Sequence, residues 1–263
     1  MPDERPHDPL NGTDDARLRA MAAIRADAGS LETPLGRYLA TAAGVRAVMQ
    51  DVDGFVGSFA DTSQMPADEV ILAATPEPEH GRLRKVVNSV IAYHRLAPAE
   101  PFIKHTAAEL VADALARSAA GAPVDLVDAV VDPMPSKVIA HVLGVPVEDQ
   151  ERFQMWSDEL LAAQEASESK TLSEFVPEFA AYVQQAIEVR RAAAEPPDDV
   201  ITRFLRAEIE GEPLSDAAVR TQTMFLIVAG NETTRNLIGN CLYWLASNLD
   251  LYAAVRADRG LLS

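Results

Sequence analysis

A proline-free segment from Ser215 to Asn248 predicts one very long helix. Ser215 can cap its first turn, and Asp216 places a negative charge at the N-terminus, where the helix dipole favours anions. At 1.5 Å per residue such a helix extends for about 50 Å, enough to cross an entire domain. The rest of the chain must therefore be arranged around this helix.

Most of the remaining sequence also predicts helices. Asp14-Asp15 can cap a first helix that Gly29 ends, and Thr41 can open another short one. Residues 31–39 predict a β-hairpin around a Pro-Gly turn, while residues 53–78 form a long irregular segment of the kind that is often functional. Prolines and glycines then divide the chain into predicted helices at 79–91, 98–119, 134–143, 147–165, 173–194, 198–209, 214–247 and 250–258.

Composition and charge exclude several classes of protein. The 263 residues are 48% hydrophobic and 24% charged, as in ordinary globular proteins, and the net charge of −17 argues against nucleic acid and membrane surfaces as partners. The single cysteine, Cys241, excludes internal disulfides and multi-cysteine zinc sites and suits a reducing cytoplasm. With no signal-like N-terminus and no uncharged apolar run of about 18 residues, we expect neither export nor a membrane span.

An abrupt change of polarity marks the middle of the long helix. Residues 224–230 are apolar all round and are expected to be buried on every side, whereas residues 231–234 are Asn-Glu-Thr-Thr. Gly230 allows a neighbour to approach the backbone. The Thr233 hydroxyl beside the Glu232 carboxylate, at a local distortion of the helix, can hold a water and pass protons. Alternatively, one helix ends at Gly230 and a threonine caps the next.

A second candidate site lies at the start of the helix predicted from residue 79. His80 and Arg84 are four residues apart and share a helix face, so together they can bind a carboxylate or phosphate. The alternative is a solvated basic face on a surface helix. The sequence contains no zinc motif, no glycine-rich phosphate loop and no Gly-x-Ser-x-Gly elbow, which argues against nucleotide-binding folds and hydrolases of that type.

Together these features resemble the bacterial, soluble cytochrome P-450 monooxygenases. Residues 229–234, Ala-Gly-Asn-Glu-Thr-Thr, resemble the Ala-Gly-x-Glu/Asp-Thr signature of that family's central helix, and His80-x-x-x-Arg84 resembles its haem-propionate pair. Between these two motifs lies a segment that resembles the family's usual connection between its E and F helices: residues 143–146 (Leu-Gly-Val-Pro), followed by Phe153 and Trp156. The resemblance implies a mainly α cytochrome P-450 fold with a small N-terminal β-hairpin. It covers nearly the whole chain, as a single partial domain over residues 1–263 that is truncated on its C-terminal side.

The resemblance also implies roles for individual residues. Two would be catalytic and relay protons to the dioxygen that haem activates: Thr233 and Glu232. His80 and Arg84 would contact haem b through its propionates. Ala229 and Gly230 would contact it beside the oxygen pocket. Two more would line the substrate pocket: Phe225 and Val228.

The family's haem-ligating cysteine has no counterpart in this sequence and is expected beyond residue 263, so no metal ligand is expected within the chain. Cys241 does not replace it, because eight residues after Thr233 on one helix it lies about 12 Å further along the axis. Cys241 is instead expected to be a small apolar core residue. We therefore expect a fragment that exposes apolar surface and is inactive alone.

The implied reaction is insertion of one oxygen atom from O₂ into a small organic substrate, with electrons from NAD(P)H through a ferredoxin-type redox partner. One alternative is a haem-free P-450-like scaffold or activator of a partner enzyme, although such a protein needs neither Glu232–Thr233 nor the His80–Arg84 pair. A second alternative, an unrelated all-helical binding protein, requires both motifs and their order to be coincidental.

Overall fold

The computed structural model describes residues 9, 11–34, 36–55, 62–121, 123–165 and 170–262, without the side chains of 163–165 and 262. Three of the expectations above concern residues outside this set: the polar N-terminus, the centre of the hairpin turn and part of the irregular segment, at residues 1–8, 35 and 56–61. The chain divides into two compact units, Met1–Gly57 and Ser58–Ser263.

The first unit contains two helices and a hairpin: α1 (Asp14–Ala26), β1 (Ser30–Thr33), β2 (Gly36–Leu39) and α2 (Ala42–Gln50). The predicted hairpin is confirmed, since β1 and β2 pair antiparallel. Thr41 caps α2 as predicted, by accepting a hydrogen bond from the amide of Gly44. The predicted Asp14-Asp15 cap is wrong, because the Thr13 side chain accepts the capping bond from Ala16 and both aspartates lie in the first turn.

The second unit is almost entirely helical. Its helices are α3 (Glu79–Val90), α4 (Tyr93–Leu96), α5 (Glu100–Ala119), α6 (Pro133–Leu143), α7 (Gln150–Glu165), α8 (Leu172–Phe175), α9 (Pro177–Ala192), α10 (Val200–Leu205), α11 (Asp216–Ser247) and α12 (Leu249–Ala257). A two-residue hairpin, β3 (Glu208–Ile209) with β4 (Glu212–Pro213), connects α10 to α11. One turn of π-helix, Val127–Val131, precedes α6, and short 3₁₀ turns occur at Ala67–Glu69, Leu72–Ala74, Ala97–Ala99, Val147–Asp149 and Arg259–Leu262.

Two predicted helices are interrupted or cut short in the structure, and the short helix α4 is not predicted. The helix predicted at 173–194 is interrupted at Val176, because Pro177 disfavours helical geometry in the residue before it, and φ/ψ there are −130° and 79°. The helix predicted at 198–209 ends at Leu205 and gives way to β3. Glu210 and Gly211 both have positive φ, the geometry of a tight two-residue hairpin turn.

The long helix α11 is the centre of the second unit. It is unbroken over 32 residues and packs against α6, α7, α9 and α10, so the alternative of a helix end at Gly230 is wrong. Ser215 caps it as predicted, accepting from the Ala218 amide. The largest fully buried side chains around it form an aromatic cluster, in which Trp156 stacks on Phe179 with ring centres 4.8 Å apart. In the described part of the chain, no helix is both long and apolar enough to span a membrane.

A buried ion pair joins three of these helices. The Arg190 guanidinium on α9 binds Asp199 through Nε and Nη2, at 2.7–3.1 Å, and donates to the carbonyl oxygens of Leu143 and Gly144 at the end of α6. Asp199 also caps α10 by accepting from the Thr202 amide at 2.8 Å. Arg190 Nη1 also donates to the Ala186 carbonyl oxygen at 2.8 Å, so every nitrogen of the guanidinium and both carboxylate oxygens have a hydrogen-bond partner, as a buried ion pair requires.

The second half of α11, together with α12, carries large apolar side chains at the surface: Leu237, Tyr243, Trp244, Leu249 and Tyr252, with Trp244 61% exposed. Cys241 is exposed as well, so its expected place in the core is wrong. Gly239 faces Val131, whose side chain would lie 3.6 Å from an added Cβ. Cys241 follows two residues later, about 200° around the helix, and so points away from that contact.

Candidate functional site

Thr233 and Ala229 lie one turn apart on the same face of α11. The Thr233 hydroxyl donates a hydrogen bond of 2.6 Å to the Ala229 carbonyl oxygen. Thr233 is exposed and the neighbouring Glu232 is partly exposed. The backbone remains α-helical throughout, so the predicted local distortion of the helix is wrong.

One side of α11 is packed and the other is open in the part of the chain that the structure describes. Met224, Ile227 and Val228 are buried, whereas Phe225, Leu226, Ala229 and Gly230 are only partly buried. The expectation that residues 224–230 are buried on every side is therefore wrong in part. Around residues 227–235 the described helices mainly cover the face that is turned away from Thr233. In the first turns of α11 the Thr233 side is covered too, because Gln222 is buried there and hydrogen-bonds to Val70 and Leu72.

The two predicted substrate-pocket residues take different positions. Val228 belongs to the hydrophobic core cluster. It is five residues before Thr233 and so about 140° away around the helix, so the structure does not bring the two to the same side. Phe225 is partly buried and packs against the same core from its edge.

Gly230 brings α11 close to α6. A Cβ added there would lie 3.0 Å from Ile139 Cδ1, which is tighter than ordinary packing. The sequence predicts that a neighbour approaches the backbone at Gly230, and in the structure this neighbour is the Ile139 side chain.

A buried polar cluster on the packed side of α11 is not predicted by the sequence. Asn231 is 2% exposed and Ser136 is 3% exposed. The Ser136 hydroxyl donates to Asn231 Oδ1 at 2.9 Å, and Asn231 Nδ2 donates to Gln154 Oε1 at 3.1 Å. An amide directly after a wholly apolar run is the one signal in the sequence for this cluster.

Arg235 lies one turn after Asn231, on the same packed side. Its guanidinium is 3.8 Å from Asp132 and 3.8 Å from Asp158. Burial raises the pKa of Asp132 above its ordinary value, and the charge of Arg235 partly opposes this rise. The arginine thus stabilises the charged form of a carboxylate that its surroundings disfavour.

His80 and Arg84 lie on one face of α3, as predicted. His80 Nδ1 is 2.8 Å from Glu77 Oε1, and this hydrogen bond is the main reason why the pKa of Glu77 is lowered. The contact orients the imidazole ring and leaves Nε2 outside it. Arg84 is exposed, and within the described residues it forms no ion pair, so its guanidinium is available to an anion.

The two parts of the candidate site, on α3 and α11, are connected through α10, which packs against both helices. A cavity of about 390 Å³ separates α3 from the beginning of α11, with Leu83, Leu214 and Ala218 in its wall. None of the predicted site residues lines it. Among the described residues, no three potential metal ligands come together.

Comparison with known proteins gives concordant matches. A family model described as Cytochrome P-450 matches residues 38–259. The chain is 34% identical over 188 residues to Cytochrome P-450 107B1 of Saccharopolyspora erythraea, an alignment that covers 72% of this chain and 44% of the relative. It is 32% identical over 216 residues to the erythromycin C-12 hydroxylase of the same organism, covering 76% and 52%.

Solved structures show the same similarity. The open cytochrome P-450 EryK from S. erythraea superposes with a TM-score of 0.78 at 27% identity, over 94% of this chain and 63% of that one. The chain thus spans about half the length of the curated relatives it matches.

Proposed function

Because this chain belongs to the cytochrome P-450 family, we propose that it forms part of the single domain of a haem-dependent monooxygenase. The reaction is insertion of one oxygen atom from O₂ into a small organic substrate. The observation that carries the proposal is the Thr233–Glu232 pair on the open side of α11, with the small residue Ala229 one turn before it.

The residues present fit haem b as the cofactor. Haem carries two propionate carboxylates. On one face of α3, the oriented His80 ring and the Arg84 guanidinium, which forms no ion pair with the residues that the structure describes, are suitable donors for such anions. Ala229 presents little side-chain bulk on the open side of α11, and Gly230 has no side chain, although its Cβ direction is towards Ile139. When bound, haem iron supplies the activation of O₂. We propose that Cys241 is not the cysteine that would hold the haem iron, since it is more than two turns beyond Thr233 on α11.

The proposed proton relay uses groups that this chain provides. A hydroxyl has one donor and two acceptor lone pairs, so Thr233 can accept a hydrogen bond from a water while it donates to Ala229. Rotation about its Cα–Cβ bond redirects its proton towards the open side. Glu232 is partly exposed and can exchange protons with solvent. Together they can deliver protons one at a time to that side of the helix.

The source of electrons is proposed by analogy with the family: NAD(P)H, through a reductase and a ferredoxin-type partner. A cytoplasmic location is proposed on the same basis, and the single cysteine in the sequence suits a reducing compartment.

Changing Thr233 to alanine tests the relay. The holoenzyme should keep its haem, but product formed per NAD(P)H consumed should fall by a factor of about ten to one hundred while peroxide rises, because proton delivery is impaired. Thr234→Ala is the matched control, since Thr234 is also exposed but about 100° around the helix. Equal product yield in the Thr233 variant would show that the relay is wrong. A native protein that binds no haem would favour the scaffold alternative.

Arg84→Gln tests the haem site. It removes a charged donor, so haem should dissociate roughly ten to one hundred times faster. Transfer of haem to apomyoglobin measures this rate. Lys85→Gln removes the same charge from the next residue, which lies on another face of α3, and should leave the rate within about twofold of the unmodified protein. The same rate in both variants would rule out a specific role for Arg84.

A further inference from the structure

We propose that a polar brace fixes the rotation of the middle of α11, at residues 224–235, about the helix axis and so positions the Thr233–Glu232 pair. The brace consists of Ser136, Gln154, Asn231 and Arg235. Asn231 and Arg235 act as positioning residues. The functional part of this inference rests on the proposed monooxygenase activity, but the mechanical part does not.

Apolar packing alone does not select one rotation of this helix. Residues 224–230 are apolar around the whole circumference, and the hydrophobic effect has no directional preference. Several rotations of this segment would therefore bury comparable apolar area against α6, α7 and α9. The beginning of α11 is held separately by Gln222, which accepts from the Leu72 amide at 3.0 Å and donates to the Val70 carbonyl oxygen at 2.9 Å. A directional interaction is needed to keep the face that carries Ala229 and Thr233 turned away from these helices.

The hydrogen bonds of Asn231 supply this direction. Its carbonyl oxygen accepts from Ser136 on α6 at 2.9 Å, and its amide nitrogen donates to Gln154 on α7 at 3.1 Å. Both Asn231 and Ser136 are almost fully buried, so a rotated helix would leave their polar atoms without partners or water. Gly230 contributes by letting Ile139 of α6 approach the α11 backbone.

The geometry places the brace directly behind the relay. Asn231 precedes Thr233 by two residues and Arg235 follows it by two, so each lies about 200° around the helix from Thr233 in opposite senses. Arg235 adds a second anchor to Asp132 and Asp158, at 3.8 Å each. The two anchors therefore hold the helix above and below Thr233, on the opposite face.

The test compares four variants of the protein as the cell makes it. Asn231→Leu keeps size and burial but removes both hydrogen bonds, and Ser136→Ala removes one. Asn231→Asp retains an acceptor for Ser136 and lies one turn from Arg235. Thr223→Val is the matched control, because Thr223 is fully buried on the same helix and its hydroxyl has no hydrogen-bond partner among the described residues.

The first readout is amide hydrogen exchange, which needs no cofactor. In Asn231→Leu the amides of residues 229–236 should exchange at least tenfold faster, while those of residues 216–222 stay within about twofold. Ser136→Ala should give a smaller change, and the conservative variant Asn231→Asp should keep exchange slow; Thr223→Val should not differ from the unmodified protein. Unchanged exchange in Asn231→Leu, or equal acceleration along all of α11, would overturn the brace.

The second readout is product and peroxide per NAD(P)H in the holoenzyme. Asn231→Leu should lose product yield with its haem content unchanged, and Asn231→Asp should recover most of it. If exchange accelerates locally but product yield stays normal, the brace does not position the relay and the inference is overturned. If instead Thr233→Ala has no effect on coupling, the proposed relay fails while the exchange results still decide whether the brace exists.

Discussion

Replacing Asp199 with alanine should destabilise the protein by about 3–5 kcal/mol at neutral pH. The side chains of Asp199 and Arg190 are 7% and 6% exposed, so the variant leaves a guanidinium buried without its counter-ion. It also removes the side-chain cap of α10 at the Thr202 amide. Denaturant-induced unfolding, followed by circular dichroism, measures the loss as a shift of the midpoint at constant slope.

Asp198→Ala is the matched control. Asp198 is the preceding residue and pairs with Arg203 at 2.8 Å, but its side chain is 67% exposed. Because solvent screens such pairs, this variant should cost less than about 1 kcal/mol. Similar losses in the two variants would mean that burial of the Arg190–Asp199 pair has no special weight in stability.

Gly144→Ala should destabilise the protein nearly as much as Asp199→Ala does, for two separable reasons. Gly144 has φ of 72°, a left-handed conformation that costs a residue with a Cβ about 1–2 kcal/mol. In addition, an alanine Cβ would collide with the Asp199 carboxylate and force it away from Arg190. The total loss should therefore exceed about 3 kcal/mol in the same unfolding measurement.

The Gly211→Ala variant separates these two contributions. Gly211 has φ of 89°, but an added Cβ there meets nothing within 4 Å. Only the conformational cost remains, about 1–2 kcal/mol. In an Asp199→Gly background, Gly144→Ala should likewise cost only that amount, because both the Asp199 Cβ and the carboxylate that it would displace are gone. A full additional loss in that background would contradict the collision as the cause.

The parts of the structure that follow from the sequence depend on neighbouring residues. Ser215, Asp216 and the absence of proline are enough to predict α11, and a spacing of four residues places His80 and Arg84 on one face. The break at Val176 also follows from a local rule about the residue before proline. Recognition of the family is confirmed by the match of its model to residues 38–259.

The parts that do not follow depend on distant contacts or on very short elements. Ser136 and Gln154 are 95 and 77 residues from Asn231, so their hydrogen bonds arise only when three helices come together. The pairing of β3 with β4 involves two residues on each strand, too few to show a periodic pattern. The exposure of Cys241 depends on which side of α11 its neighbours cover. The roles of the site residues stay predictions.

The central position of α11 also sets the time at which this unit can fold during translation. Helices α6, α7, α9 and α10 share α11 as their common packing partner, yet they leave the ribosome before it. At about 5–20 residues per second, the roughly 100 residues from Pro133, where α6 begins, to Arg235 take roughly 5–20 s to polymerise. During that interval the apolar faces of the earlier helices have no completed core to bury them. Ribosome-associated chaperones should therefore bind the nascent chain for a prolonged time, until α11 has emerged.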